Sequence, residues 1–205
     1  MVREEFEIKS VKLMNNIKKS ILASVETKLR IASDDKFLVE LERIGNRMIT
    51  VLKLNGKILI AGNGGSAADA QHFAAELAGK FIHERKGLPA IALTTNSSII
   101  TAIGNDFGYE YVFSRQVEGL GQQGDVFVGI STSGNSQNLI QAMQSAQNIG
   151  ITTVGLLGKD GGLMKELCDL KLIVPSQSTQ HIQEAHIMMI HELCTIIDNA
   201  FKNHK

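Results

Sequence analysis

Three stretches of this chain hold side chains whose types and spacing could do chemistry. The first is GNGGSAADAQHFAAE, from Gly62 to Glu76. Its glycines, Gly62, Gly64 and Gly65, follow an apolar run (Ile58–Ala61) and lead into a helix-forming segment. A strand that turns through glycines into a helix N-terminus aims unpaired N–H groups and a positive dipole end at one spot, an oxyanion cradle. On the helix that follows, His72 and Glu76 are spaced i, i+4 and share one face, an imidazole–carboxylate pair suited to proton transfer or to a metal ion. The same residues could instead be a plain strand–turn–helix connection carrying two exposed polar groups.

The second stretch is Ser131-Thr132-Ser133-Gly134-Asn135-Ser136, again between an apolar run and a helical pattern. A serine at a helix start is often only a cap, but one cap needs one hydroxyl. Ser131, Thr132, Ser133 and Ser136 together suit the oxygens of a phosphate. With no lysine or arginine in the loop and no Walker GK[ST] ending, this is a neutral cradle for a sugar phosphate rather than a nucleotide P-loop. Gly104-Asn105-Asp106-Phe107-Gly108 reads as a turn whose Asn105 and Asp106 could also bind substrate hydroxyls.

The third stretch is the last helix, about Thr179 to Phe201, with Gln183, Glu184, His186, His191 and Glu192 along an apolar stripe of Ile182, Ile187, Ile190, Leu193 and Ile197. Histidines on such helices are mostly packed or surface groups, and His186 and Glu184 are read that way. Gln183 and His191 are about 80° apart round the helix and ~12 Å apart along it, awkward for two ligands of one ion. A bent first turn, or copies from different subunits, would relieve that.

The elements that must position these residues follow a regular order. Apolar runs at Ile58–Ala61, Ala90–Leu93, Val126–Ile130, Thr153–Leu157 and Leu170–Val174 alternate with helical patterns. They are nearly continuous, as in strands covered on both faces, and their separation by helices implies a parallel sheet with right-handed crossovers. The expected fold is α/β, a three-layer, flavodoxin-like α/β/α domain with a five-stranded parallel sheet over 56–205. Ligands in such sheets gather outside the carboxyl ends of the strands, where the glycine and hydroxyl loops fall. Residues 1–55 form a preceding helical pair. Val11, Met14, Ile17, Ile21, Val25 and Leu29 stripe the first helix, and Leu38, Leu41, Ile44, Met48 and Val51 the second. Asp34 or Asp35 caps the second helix, which ends near Asn55-Gly56. Their apolar faces must cover either the chain's own sheet or a partner subunit.

Composition narrows the class. The chain has 205 residues, 43% apolar and 20% charged, with zero formal charge and no basic cluster. This argues against nucleic acid or an anionic membrane as the main partner. The charged N-terminus, MVREEFEIKS, lacks the apolar core of a signal peptide, and Cys168 and Cys194 have no metal or redox spacing. A cytoplasmic protein is expected.

Five motifs in order, GNGGSAADAQHFAAEL at 62–77, AIGNDFGYEYVFSRQVE at 102–118, GDVFVGISTSGNSQN at 124–138, GKDGG at 158–162 and IQEAHIMMIHELC at 182–194, resemble the sugar isomerase (SIS) domain family, and within it the phosphoheptose isomerases. The resemblance implies conversion of D-sedoheptulose 7-phosphate, a ketose, to D-glycero-D-manno-heptose 7-phosphate, an aldose, for bacterial surface polysaccharide. It carries substrate binding to Asn63, Gly64, Gly65, Asn105, Asp106, Ser131, Thr132, Ser133 and Ser136, and zinc binding to His72, Glu76, Gln183 and His191. Glu76 and His191 are the proton carriers it suggests, with Glu76 and Gln183 also facing substrate. It further implies a homotetramer with active sites between subunits. Two rival readings fit parts of the sequence. The G-x-G-x-x-A pattern of Gly62–Ala67 also fits a dinucleotide site, but the second strand ends Leu93-Thr94-Thr95 without the acidic residue that would hold the ribose. A non-catalytic SIS branch associates with the bacterial replication initiator, and LPAIALTTNSSIITAI at 88–103 is somewhat similar to it. That branch departs from the isomerases at the positions of Glu76 and His191, which are intact here.

Overall fold

The computed structural model describes the backbone of residues 2–202, and side chains from residue 13 onward. Val11, one member of the expected first stripe, lies outside the described side chains. Five parallel strands, β1 (Ile58–Gly62), β2 (Ala90–Ala92), β3 (Val126–Ser131), β4 (Thr152–Gly158) and β5 (Leu170–Val174), form one sheet in the order β2-β1-β3-β4-β5. All neighbours pair in parallel, with Ile58 opposite Val126 and Val128 opposite Val154 in the centre. The strand order runs outward from β1 to β2 on one side and to β3, β4 and β5 on the other, so the switch point lies between β1 and β3. Such switch points open a crevice at the carboxyl ends of the flanking strands.

The helices are α1 (Val2–Ala32), α2 (Asp35–Lys53), α3 (Gly65–Ala78), α4 (Ser97–Asp106), α5 (Ser114–Leu120), α6 (Gln137–Ile149) and α7 (Thr179–Phe201). One layer packs α2, α3 and α7 on the sheet through Ile44, Met48, Phe73, Leu77, Met189 and Leu193, all fully buried. The opposite layer packs α5 and α6 through Val117, Leu139 and Met143 against Leu59 and Phe127. Asp34 caps α2, its carboxylate accepting from the N–H groups of Lys36 and Phe37. Asn55 takes a left-handed φ of 61° just past the end of α2, a conformation asparagine tolerates well.

The two N-terminal helices dispose of their apolar faces differently. On α2, Leu41, Ile44, Met48 and Val51 are buried in the chain's own core. On α1, Met14 (65% exposed), Ile17 (52%), Ile21 (59%) and Leu29 (61%) face away from it. Of its described side chains only Ile31, at the C-terminal end, enters the hydrophobic core, and the rest of the helix is held by its polar edge. Ser24 donates to Glu184 of α7, Lys28 pairs with the same carboxylate at 3.6 Å, and Gln180 donates to Ser20. One expected element is corrected. Gly104-Asn105-Asp106 is the last turn of α4 and not a turn between elements, because the Asn96 side chain caps a helix at Ile99 N that continues through Ile103 to Asp106.

Candidate active site

The glycine loop leaves β1 at Gly62 and enters α3 at Gly65. Gly62 is tightly enclosed: a Cβ there would stand 2.4 Å from Ser66 O. Gly64 precedes α3 with φ 56°, ψ −121°, and no side chain caps the helix start. Ser66 N and Ala67 N donate to Asn63 O and Gly64 O in the tight first turn, so what the helix start offers a ligand is its positive dipole end with no side chain in the way.

The hydroxyl loop stands beside it at the carboxyl end of β3. Ser131 Oγ lies 3.2 Å from Ser136 Oγ and accepts from Gly134 N at 3.0 Å. Ser136 occupies the N-cap position of α6, but its side chain makes no capping bond. The bland reading of this serine as a cap does not hold. Gly134 is forced to be glycine twice over: φ is 66°, and a Cβ would fall 1.9 Å from Gly161 O. Met164 N donates to Gly134 O and Leu163 N to Asn135 Oδ1. The GKDGG motif is therefore the back wall of the hydroxyl loop.

A reciprocal amide pair joins the two loops. Asn63 Nδ2 donates to Asn138 Oδ1 and Asn138 Nδ2 to Asn63 Oδ1, both at 2.9 Å, and Asn138 is 3% exposed. Tyr109 OH donates to Asn63 Oδ1 at 3.2 Å. Neither Asn138 nor Tyr109 was singled out by sequence reasoning, although both sit inside the quoted motifs. An asparagine one residue into a helix has no spacing signature of its own. Asn105 and Asp106, by contrast, are exposed and bonded to each other, Asn105 Nδ2 to Asp106 Oδ1 at 2.7 Å.

Further along α3, His72 Nε2 is 3.1 Å from Glu76 Oε1, and His191 Nε2 of α7 is 3.3 Å from His72 Nε2. Phe81 stacks on the far side of His191, ring centroids 6.2 Å apart and planes 23° from parallel. The side chains of His72 and Glu76 are 42% and 26% exposed, so the group opens to solvent. One turn earlier, Asp69 Oδ2 is buried without a hydrogen-bond partner. Burial lifts the Asp69 carboxyl above the usual carboxylate range, against the pull of His72.

α3 and α7 run side by side, and this separates two residues expected together. The Gln183 amide lies against Gly65 at the start of α3: a Cβ on Gly65 would stand 2.6 Å from Gln183 Nε2. His191 lies two turns on, beside His72. His186 packs into the core, fully buried, with Nε2 3.0 Å from Leu157 O.

The spacing of these donors bears on a metal. Ligands about 2.0–2.1 Å from a tetrahedral zinc stand about 3.4 Å from one another. The separations of 3.1 Å and 3.3 Å match such edges. The contacts run in line, His191–His72–Glu76, and among the described residues no three His, Cys, Asp or Glu side chains close into a cage. The chemistry of the donors fits zinc, and Gln183 of the same chain, two turns away beside Gly65, does not complete the set.

Comparison with known proteins agrees with this architecture. The model of the SIS domain family matches residues 22–158. The phosphoheptose isomerase of Clostridium acetobutylicum is 50% identical over 193 residues, 94% of this chain and 98% of that protein. Among solved structures, the phosphoheptose isomerase of Neisseria gonorrhoeae superposes with a TM-score of 0.84 at 45% identity, over 91% of this chain and 99% of that one. The phosphoheptose isomerase of Francisella tularensis superposes at 0.85 with 34% identity, over 91% and 98%. With its five-stranded sheet, its two cradling loops and these relatives along nearly its whole length, the chain belongs to the SIS domain family and, within it, to the phosphoheptose isomerases.

Proposed function

We propose that Glu76 and His191 carry the proton transfers in the reaction of this enzyme family, the aldose–ketose isomerisation of D-sedoheptulose 7-phosphate to D-glycero-D-manno-heptose 7-phosphate. The single observation that carries the assignment is the contact line Glu76–His72–His191, which joins a carboxylate on one helix to an imidazole on another. The Glu76 carboxylate takes the proton from C1 of the ketose. The bonding pair becomes the C1=C2 bond of an enediol as His191 protonates the C2 oxygen. Return of the carbon-bound proton from Glu76 to C2, with the proton on the C1 oxygen passing to the neutral His191, yields the aldose and restores both groups. Bound zinc would polarise the C1 and C2 oxygens. His72, His191 and Gln183 are its assigned ligands with Glu76, whose metal-binding and base roles compete.

The phosphate end is assigned to Ser131, Thr132, Ser133 and Ser136 with the α6 amides, and the sugar hydroxyls to Asn63, Gly64, Gly65, Asn105, Asp106 and Gln183. Anchoring a remote phosphate holds the reacting carbons in place. Gly65 and Glu76 lie about 16 Å apart along α3, at about 1.5 Å per residue. The six carbon–carbon bonds of a heptose reach at most about 9 Å. A site made of one subunit's loops and another's Glu76–His191 pair removes that mismatch. The exposed apolar face of α1 supports such an assembly, a homotetramer in the cytoplasm. Heptose for lipopolysaccharide or another surface polysaccharide is the product's use.

The test is a coupled assay with sedoheptulose 7-phosphate on the parent, Glu76→Gln and His191→Ala. Each variant is expected to lose about 10²–10⁴-fold in kcat. A parent that binds the sugar phosphate without converting it, with zinc supplied, would sink the catalytic assignment in favour of a binding protein, and a pull-down with the replication initiator would then follow.

A further inference from the structure

Between α3 and β2 the chain crosses from Gly79 to Pro89 without regular structure, and one buried ion pair organises it. Arg85 Nε donates to Asp198 Oδ1 at 2.8 Å, with the two side chains 0% and 1% exposed. The rest of the guanidinium points at the end of α3: Nη2 donates to Glu76 O at 3.0 Å, and Nη1 to Leu77 O at 2.9 Å and Gly79 O at 3.3 Å. The other oxygen of Asp198 accepts from His83 N at 2.8 Å and Ile82 N at 3.3 Å. Asp198 lies seven residues beyond His191, about two turns and nearly the same face of α7.

The geometry points to Arg85 and Asp198 as positioning residues for the Glu76–His191 pair. Through one guanidinium the backbone of Glu76 is bonded to α7, the helix that carries His191. Through Asp198 the segment just after Phe81 is fixed, so that the Phe81 ring backs the His191 imidazole. A planar fork of five donors does this where an ammonium cannot, since four acceptors in different directions are met at once. The pair touches no part of the hydroxyl loop. Its loss therefore acts on the proton carriers and leaves phosphate binding alone.

This inference rests on the isomerase reading, and its test separates the two. In the assembled full-length protein, Arg85→Lys and Asp198→Asn are compared with the parent, and Phe81→Leu serves as the reference for a His191 ring with nothing stacked on it. Misplacement of reacting groups by about 1 Å costs up to about 10²-fold. A fall in kcat of about 10- to 100-fold is expected in Arg85→Lys and Asp198→Asn, with KM for sedoheptulose 7-phosphate within about twofold of the parent. The His191 ring-proton resonances should move toward their values in Phe81→Leu, as the ring current of Phe81 is lost, while those of buried His186 stay in place and report an intact core. Parent-like His191 resonances in Arg85→Lys overturn the positioning role whatever the rate. A rise in KM equal to the fall in kcat overturns it too, because that is a general loosening. If the parent itself does not turn over the sugar phosphate, the isomerase reading fails, and the His191 resonances still decide the clasp.

Discussion

At the scale of single residues, the chain uses histidine in two ways that differ in environment. His72 and His191 face each other at an opening between α3 and α7, while His186, five residues before His191, is sealed in the core. Burial lowers the His186 pKa from 6.5 to about 4, only partly countered by its bond to Leu157 O. The folded state thus holds a neutral imidazole, and the unfolded chain binds a proton that the folded one does not between those two values. Stability from this residue is present above about pH 6.5 and lost as the pH falls toward 4, at up to about 1.4 kcal/mol per pH unit. Urea titrations of the parent and His186→Asn over that range should show the slope in the parent and its loss in the variant, which binds no proton there. Equal slopes would contradict the assignment.

At the scale of elements, the two loops at the carboxyl edge of the sheet are built as one body. Asn63 and Asn138 join them, and the 158–162 segment closes from behind onto Gly134. Gly134→Ala would press a methyl into Gly161 O and strain a positive φ. Its expected effects are a loss of about 1–3 kcal/mol of stability and a raised KM for the sugar phosphate. Thermal unfolding and steady-state kinetics check both, and an unchanged KM would show that the loop does not hold the phosphate.

On the scale of the whole molecule, α1 is the unfinished part. Its end is anchored in the core by Ile31 and its polar edge by hydrogen bonds and one ion pair to α7, while Met14, Ile17, Ile21 and Leu29 stay exposed. Replacing Ile17 and Ile21 together by glutamate is expected to split the proposed tetramer and abolish turnover, with the subunit still folded, because neither side chain contributes to its core. Light scattering beside circular dichroism reads this directly; an active monomer would place the whole site within one chain.

Much of this was legible beforehand, for definite reasons. Parallel strands buried on both faces must be continuous apolar runs, so all five were readable within a residue of their ends. Glycines and hydroxyls between a strand and a helix marked both loops at the carboxyl edge of the sheet, and Asp34 or Asp35 was readable as the cap of α2, which the structure gives to Asp34. Local sequence determined those features because the forces behind them, backbone conformation and helix ends, act over a few residues. Only the tertiary structure decided that Asn138 answers Asn63 and that Arg85 joins Glu76 to Asp198. It also decided that α1 turns its apolar face outward. The Asn63–Asn138 and Arg85–Asp198 pairs join residues 75 and 113 positions apart and the outer face of α1 is a surface left uncovered, and no periodicity along the sequence encodes which distant group a side chain meets.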